Sequence, residues 1–337
     1  MSAFFDRLND VSSPRIGLGC MNLSNGYGQH VPETEALRVL EEAFDMGYRH
    51  FDTATLYGGT ANERLLGLAL KTKRRQLFLA SKCGMALDAE TGKRVINGRP
   101  NTLRRQCEES LARLKTDHLD IYYLHRLDRN VPIQESVGAL GRLVDEGKIG
   151  AVGLSEISAE TLRKGNAEYS VAAVQSEYSL WTRNPEIALK QACAELDIAL
   201  VAFSPLGRGF LTGSVQENTL WASGDMRAGM PRFSKENLPH NLSLLADFNA
   251  HAARLGMSSA QLALAWLKAQ GRHIVPIPGT CSVAHLRENL LAETIVLDDA
   301  TVTQLNGMML PEQVAGARYN DSQQGDIDTE EFPIERH

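Results

Sequence analysis

Residues 121–155 read IYYLHRLDRNVPIQESVGALGRLVDEGKIGAVGLS, and this stretch decides the fold. Its two ends, 121–125 and 151–155, are short runs rich in β-branched and aromatic residues, the composition of buried strands. Between them, 133–146 has helical period and is followed by Gly147, whose missing Cβ suits the left-handed turn that ends many helices. The connections are too long for hairpins, so the unit predicted is strand, helix and parallel strand.

Outward from this unit the same alternation runs along most of the chain. Candidate strands fall at 16–20, 50–53, 77–82, 121–125, 151–155, 173–175, 200–203 and 274–277. Candidate helices follow at 33–46, 61–71, 102–115, 133–146, 159–166, 185–195, 258–269 and 283–291. Start signals agree: Asn101 before Thr102, Asn184 before Pro185, and Ser258 with Gln261 three residues on. Stop signals stand at Gly47, Gly147 and Gly271. In the third helix, Leu103, Cys107, Ser110, Leu111 and Leu114 recur at helical steps and predict one inward stripe. Eight parallel strands are the number that closes a barrel, so the fold class is α/β, a single TIM-type (β/α)8 barrel spanning 1–315. A long loop, 207–251, follows strand 7. Beyond it, 316–337 reads as an acidic tail, carrying Asp321, Asp326, Asp328, Glu330, Glu331 and Glu335, and is expected to be partly mobile.

Composition narrows the function classes. The 337 residues are 43% hydrophobic, and 35 Lys+Arg against 41 Asp+Glu give a net charge of −6 with no basic block. Neither nucleic acid nor an anionic membrane is an expected partner. The N-terminus, MSAFFDRLND, interrupts any signal-like apolar stretch with Asp6, Arg7 and Asp10, and no run reaches the roughly 20 apolar residues of a spanning helix, so a cytoplasmic protein is expected. Five cysteines, never in CxxC spacing, read as buried thiols, and nine histidines form no HxH or HExxH, so no metal site is expected.

In such barrels chemistry collects at the C-terminal ends of the strands. Here those ends carry Asp52 with Tyr57 five residues on, Lys82, His125, Ser155-Glu156, Gln175 with Glu177, and Phe203-Ser204-Pro205. Taken singly, the aspartate reads as a cap, the tyrosine as packing, the lysine as a surface group and the histidine as core. Taken together they make a proton donor. An ammonium beside a phenol favours the phenolate, an aspartate can hold the lysine, and a neutral histidine can orient a carbonyl oxygen. That is one half of carbonyl reduction; the other half is a hydride, which no side chain supplies and a nicotinamide does.

The run 47–58, GYRHFDTATLYG, followed by Asn62-Glu63, resembles the first signature of the aldo-keto reductase superfamily. Leu119-Asp120 through His125, the Ser155 strand end, Gln175, Phe203-Ser204-Pro205-Leu206, Ile277-Pro278-Gly279-Thr280 and Glu288-Asn289 look like its later signatures, over roughly 14–292. The resemblance implies a (β/α)8 barrel plugged at its N-terminal end by a β-hairpin, and reduction of an aldehyde, ketone or quinone with NADPH, or NADH, in an extended pose. It makes Tyr57 the general acid, tuned by Lys82 and Asp52, with His125 orienting the carbonyl. It places Ser155, Glu156 and Gln175 at the carboxamide, Phe203 beneath the nicotinamide, and Ser204, Pro205, Leu206, Gly207 and Arg208 along the pyrophosphate. Gly279, Thr280, His285, Glu288 and Asn289 would surround the adenosine, with Gly19, Cys20 and Met21 approaching from strand 1. The substrate wall is expected from Met21, Tyr27, Leu56, the residues after His125, and Trp221 and Phe233. Relatives often place Lys or Arg where this chain has Ser214, Cys281 and Ser282, which leaves His285, Arg287 and Arg208 for a 2′-phosphate. The superfamily ranges from monomers to large rings, so a homo-oligomer is compatible.

Two other readings stand beside this one. Glu156 and Glu177 on neighbouring strands could pair as glycosidase carboxylates. Barrels of the superfamily also serve as cytosolic subunits of potassium channels, where assembly is the role.

Overall fold

The computed structural model describes residues 14–24, 26–28, 31–88 and 90–333. Eight strands form one sheet in which every neighbouring pair is parallel. They are β1 (Leu18–Gly19), β2 (His50–Asp52), β3 (Phe78–Cys83), β6 (Ile121–Leu124), β7 (Val152–Ser155), β8 (Val171–Glu177), β9 (Ala199–Phe203) and β10 (Ile274–Pro276), in that spatial order. The two edges meet. Gly17 N–H donates to Pro276 O at 2.9 Å and Gly19 N–H to Pro278 O at 3.2 Å, and Gly19 bridges Gly279, so the sheet closes. The remaining strands, β4 (Met85–Leu87) and β5 (Arg94–Ile96), form an antiparallel hairpin after β3 that the sequence reading did not anticipate. The hairpin expected to plug the N-terminal end would fall on residues before 14, outside the described residues.

Helices alternate with the strands as expected: α1 (Glu33–Asp45), α2 (Ala61–Leu70), α3 (Pro100–Leu114), α4 (Ile133–Asp145), α5 (Ala159–Glu168), α6 (Leu189–Glu195), α8 (Ser259–Ala269) and α9 (Val283–Leu291). The Ser258 hydroxyl accepts from Gln261 N–H and the Gln261 amide returns the bond, closing the expected capping box. Asn101 is not a cap, because α3 begins one residue earlier with Pro100, whose fixed φ suits a first turn. The predicted stripe on α3 is buried throughout. Truncating one of its leucines to alanine costs about 2–5 kcal/mol by cavity formation.

Inside the barrel Phe78, Ala80, Ile121, Tyr123, Ala173, Ala199, Val201, Val275 and Ile277 fill the space between strands. Gly153 makes room for one of them: a Cβ there would lie 2.3 Å from the Tyr123 ring. Cys20, Cys83, Cys107 and Cys193 are buried as expected, whereas Cys281 is half-buried.

The segment expected as a loop after strand 7 is partly helical, since α7 (Leu238–Arg254) occupies its last third and runs just past its end. Two further helices, α10 (Asp299–Asn306) and α11 (Asp321–Gln324), lie beyond α9. The acidic segment is in contact with the rest of the chain. Its described part is bonded to the barrel: Asp328 accepts from the hydroxyls of Ser158 and Thr161, Glu330 from Ala159 N–H, and Asp326 pairs with Arg94. Its carboxylates are thus acceptors for groups far away in sequence, which composition cannot reveal.

Candidate active site

Period-two alternation carries each strand's inner face from packed core to open mouth. On β3 the order is Phe78, Ala80, Lys82; past β6 it is Ile121, Tyr123, His125; on β8, Ala173 and Gln175; on β9, Ala199, Val201 and Phe203. Asp52 and Ser155 end β2 and β7. Polar groups collect at one end because the strands stop there and each inner column finishes with a side chain that has no further layer above it.

Lys82 is the centre. Its Nζ, fully buried, donates to Asp52 Oδ1 at 2.5 Å, Thr53 O at 2.8 Å and Tyr57 Oη at 3.2 Å, so its three N–H groups have three acceptors. Asp52 Oδ2 accepts from Gln175 Nε2 at 2.8 Å, which fixes the carboxylate from the far side of the barrel. Burial disfavours the lysine's charge, but Asp52 and Tyr57 outweigh it and raise its pKa above the ordinary value. For Tyr57 burial is the largest effect and raises the phenol pKa, with Lys82 pulling the other way. The expected net lowering of the phenol is therefore not found: desolvation wins, and the group is held protonated. The His125 ring stands edge-on to Tyr57, centroids 5.8 Å apart at 84°. Burial, then the charges of Arg126 and Lys82, hold its pKa well below 6.5, so it is neutral, and its buried Nδ1 has no partner among the described residues.

A cavity of about 980 Å³ opens above these groups. Of the predicted residues, Gly19, Met21, Asp52, Tyr57, His125, Ser155, Gln175, Phe203, Ser204, Pro205, Leu206, Arg208, Gly279, Thr280, His285, Glu288 and Asn289 line it. Lys82 lies beneath its floor. Cys20, Glu156 and Gly207 do not line it. Cys20 is buried, its N–H donating to Asp52 O. Glu156 turns away: its carboxylate pairs with Arg318 at 2.8 Å and accepts from Ser176 Oγ at 2.9 Å and Glu177 N–H at 3.0 Å. Burial opposes its charge, but Arg318 and Arg126 hold its carboxyl below the ordinary range. Arg208 lines the cavity yet is committed to Glu177 at 2.9 Å and to the Tyr319 hydroxyl at 3.0 Å. With both glutamates locked in ion pairs and neither lining the cavity, the glycosidase arrangement is absent. Met21, Tyr27 and Leu56 form wall as expected; Trp221 and Phe233 do not, and instead pack edge to face at 5.5 Å. Arg287 is exposed and off the cavity. Among the described residues no cluster could hold a metal ion, and no helix is long and apolar enough to cross a membrane.

Sequence reasoning missed Asn22, Arg94, Tyr319, Asp326 and Ile327, all lining residues. Arg126, the first of the residues after His125 expected in the substrate wall, does line the cavity.

The cavity suits a dinucleotide. At about 980 Å³ it lies near the top of the range for ligand sites, well beyond what a small carbonyl fills. Its floor is bare backbone at the closing seam: a Cβ on Gly279 would lie 2.9 Å from Asn22 Oδ1 and 3.0 Å from Gly19 O. At the far rim Ser282 caps α9, so a helix N-terminus suited to an anion lies there.

The family described as "Aldo/keto reductase family" matches residues 15–309. The chain is 41% identical over 318 residues to aldo-keto reductase yakc [NADP(+)] of Schizosaccharomyces pombe, covering 93% of each chain. It is 40% identical over 306 residues to a probable aldo-keto reductase 1 of Glycine max, covering 90% of this chain and 88% of that one. Among solved structures, a glycerol dehydrogenase from Gluconobacter oxydans superposes with a TM-score of 0.81 at 27% identity, over 89% of this chain and 92% of that one. An aldo-keto reductase from Klebsiella pneumoniae in complex with NADPH gives 0.69 at 27% identity, over 91% and 95%. The closed parallel barrel, the buried lysine linking aspartate to tyrosine at its mouth, and these matches agree: the chain belongs to the aldo/keto reductase family.

Proposed function

We propose that the protein, acting in the cytosol, reduces the carbonyl of an aldehyde, ketone or quinone to an alcohol with NADPH, Tyr57 giving the proton. The observation that carries this reading is the Lys82 ammonium, bonded at once to Asp52 and to the Tyr57 hydroxyl on the floor of a cavity too large for the carbonyl alone. Relatives named for NADP(+) or solved with NADPH support the choice of cofactor.

The cofactor, when bound, supplies the hydride. Ser155 and Gln175 would hold its carboxamide, Phe203 would lie against the nicotinamide, and Ser204, Pro205, Leu206, Arg208 and Gly209 would follow the pyrophosphate. Thr280, Ser282, His285, Glu288 and Asn289 would take the adenosine end. Arg208 and Arg287 are not placed to meet a 2′-phosphate, so Ser282, His285 and the start of α9 remain for it.

The protein's own part is to hold the carbonyl oxygen and protonate it. Neutral His125 donates an N–H to that oxygen. Tyr57 Oη passes its proton as negative charge develops there, and the phenolate left behind is stabilised by Lys82, itself fixed by Asp52. Buried, pre-bonded donors need no reorganisation at that moment. Burial raises the phenol pKa at rest, which keeps the proton in place until the carbonyl oxygen becomes basic enough to take it. A homo-oligomer is compatible with this account, since the cavity is built within one chain.

The test is to titrate the protein with NADPH and with NADH by intrinsic fluorescence, then to follow cofactor oxidation with aldehydes, ketones and quinones. Tight NADPH binding with turnover of at least one carbonyl is expected. Binding without any turnover would favour an assembly role and overturn the reading.

A further inference from the structure

Four arginines line the cavity, and three are neutralised by carboxylates. Arg94 pairs with Asp326, Arg208 with Glu177 at 2.9 Å, and Arg227 with Asp225 at 2.7 Å. The fourth, Arg126, has no carboxylate within 4 Å among the described residues. It follows His125 directly at the end of β6, and its side chain is half-buried. One nitrogen, Nη1, donates to His125 O at 2.6 Å and Ser155 Oγ at 3.3 Å, which pins the guanidinium between the ends of β6 and β7. Nε and Nη2 have no acceptor among the described residues. The nearest candidate counter-charge, Glu156, feels Arg126 but is committed to Arg318 at 2.8 Å and lies off the cavity.

A half-buried cation in a cavity wall, with N–H donors that no described residue meets, is costly unless an anion arrives to meet it. Guanidinium geometry fits one class of anion well, a planar carboxylate held by two parallel hydrogen bonds. In the reading above the dinucleotide's pyrophosphate follows the residues after β9 and its 2′-phosphate the start of α9, whereas Arg126 is anchored at the end of β6 beside His125. We propose that the substrate carries a carboxylate on the same molecule as its carbonyl, and that Arg126 binds that carboxylate while His125 and Tyr57 engage the carbonyl oxygen. This rests on the reductase reading above and narrows its substrate class to oxo acids, aldehydic or ketonic.

The experiment compares the 2-, 3- and 4-formylbenzoates with their methyl esters, which place a carboxylate or its neutral equivalent at three distances from one aldehyde. For at least one isomer, wild-type kcat/KM for the acid should exceed that for the ester by roughly 10- to 100-fold, the worth of a charge-assisted pair. Arg126→Met should bring the ratio to about one or below, mainly through KM for the acid. Arg126→Lys, which keeps the charge without the fork, should give an intermediate ratio and serves if the methionine variant does not fold. The affinity for NADPH, read by fluorescence, should stay within about twofold of wild type, because the arginine serves the substrate. An acid-to-ester ratio the same in wild type and both variants overturns the proposal, as does a loss of NADPH affinity in Arg126→Met with the ratio unchanged. Wild type that reduces the esters but favours no acid overturns this proposal and leaves the reductase reading standing; reduction of none of the six overturns this proposal, and the reductase reading falls with it only if the aldehydes, ketones and quinones of the panel above are also left unreduced.

Discussion

Replacing Arg318 by methionine removes the cation that pairs with the Glu156 carboxylate among the described residues while keeping a similar apolar stem. Both side chains are almost wholly buried, at 2% and 0% exposure, and Nη2 stands 2.8 Å from Oε2. After the substitution, Oε1 keeps its bonds from Ser176 and Glu177, but Oε2 loses its cation. Breaking a buried pair by removing one partner costs about 3–5 kcal/mol, because the other charge is left uncompensated. The cost should depend on pH in a defined direction. In wild type the Glu156 pKa is held below the unfolded value of about 4.3, so its stabilisation is present above that pH and is lost as pH falls through the folded pKa. Without Arg318, burial is the largest influence left, against Arg126 and the bonds from Glu177 and Ser176, and shifts the pKa upward from its wild-type position, so the variant's deficit is full at neutral pH and shrinks as pH falls. Urea unfolding followed by circular dichroism at about pH 7.5 and about pH 4.5 measures both gaps. The double variant Glu156→Gln with Arg318→Met, lacking the stranded charge, should recover much of the loss at neutral pH. A single-variant deficit under about 1 kcal/mol, equal at both pH values, would refute the reasoning.

Lys82→Met should lower kcat by at least ~10²-fold at neutral pH, and Lys82→Arg should not restore it, since a planar head cannot meet the three acceptors that Nζ meets. Asp52→Asn should be milder; an Asp52→Asn enzyme slower than Lys82→Met would count against the hierarchy. The reduction rate should be flat from about pH 6 to pH 9, because His125 stays neutral throughout and the phenol stays protonated, falling only as pH rises through the elevated Tyr57 pKa. A limb near pH 6.5 in kcat would show that His125 ionises. Ser282→Arg, at the cap of α9, should tighten NADPH and leave NADH unchanged; no gain for NADPH would place the 2′-phosphate elsewhere.

The barrel and the meeting of Asp52, Tyr57, Lys82 and His125 at its mouth were legible in the sequence because both are written in local pattern. Each inner-facing column, such as Phe78, Ala80, Lys82, is a run of alternate residues, and its last member is the one that reaches the mouth. The helix α7 also carried a pattern, with Leu238, Asn241, Leu245, Phe248 and Ala252 buried at helical steps, but the turn-forming residues before it made the whole segment read as loop. Other features depend on partners distant in the chain. Glu156 looked like a carboxamide contact because it follows Ser155; only the arrival of Arg318, 162 residues later, turns it away from the cavity. Likewise Arg208 looked free for a phosphate until Glu177 and Tyr319 occupied it. The sign of the Tyr57 shift was misjudged because proximity to Lys82 can be inferred from motif, whereas the degree of burial cannot.

The most direct test of the account is single-turnover reduction by Tyr57→Phe. The variant keeps the ring and its packing against His125 and removes only the hydroxyl bonded to Lys82. Enzyme loaded with NADPH is mixed rapidly with an aldehyde that the wild type reduces, and cofactor oxidation is followed in the first turnover, before product release can mask the chemistry. The account predicts a first turnover slower by at least ~10²-fold with NADPH affinity within about twofold of wild type. A Tyr57→Phe first turnover as fast as wild type would contradict the assignment of the proton donor.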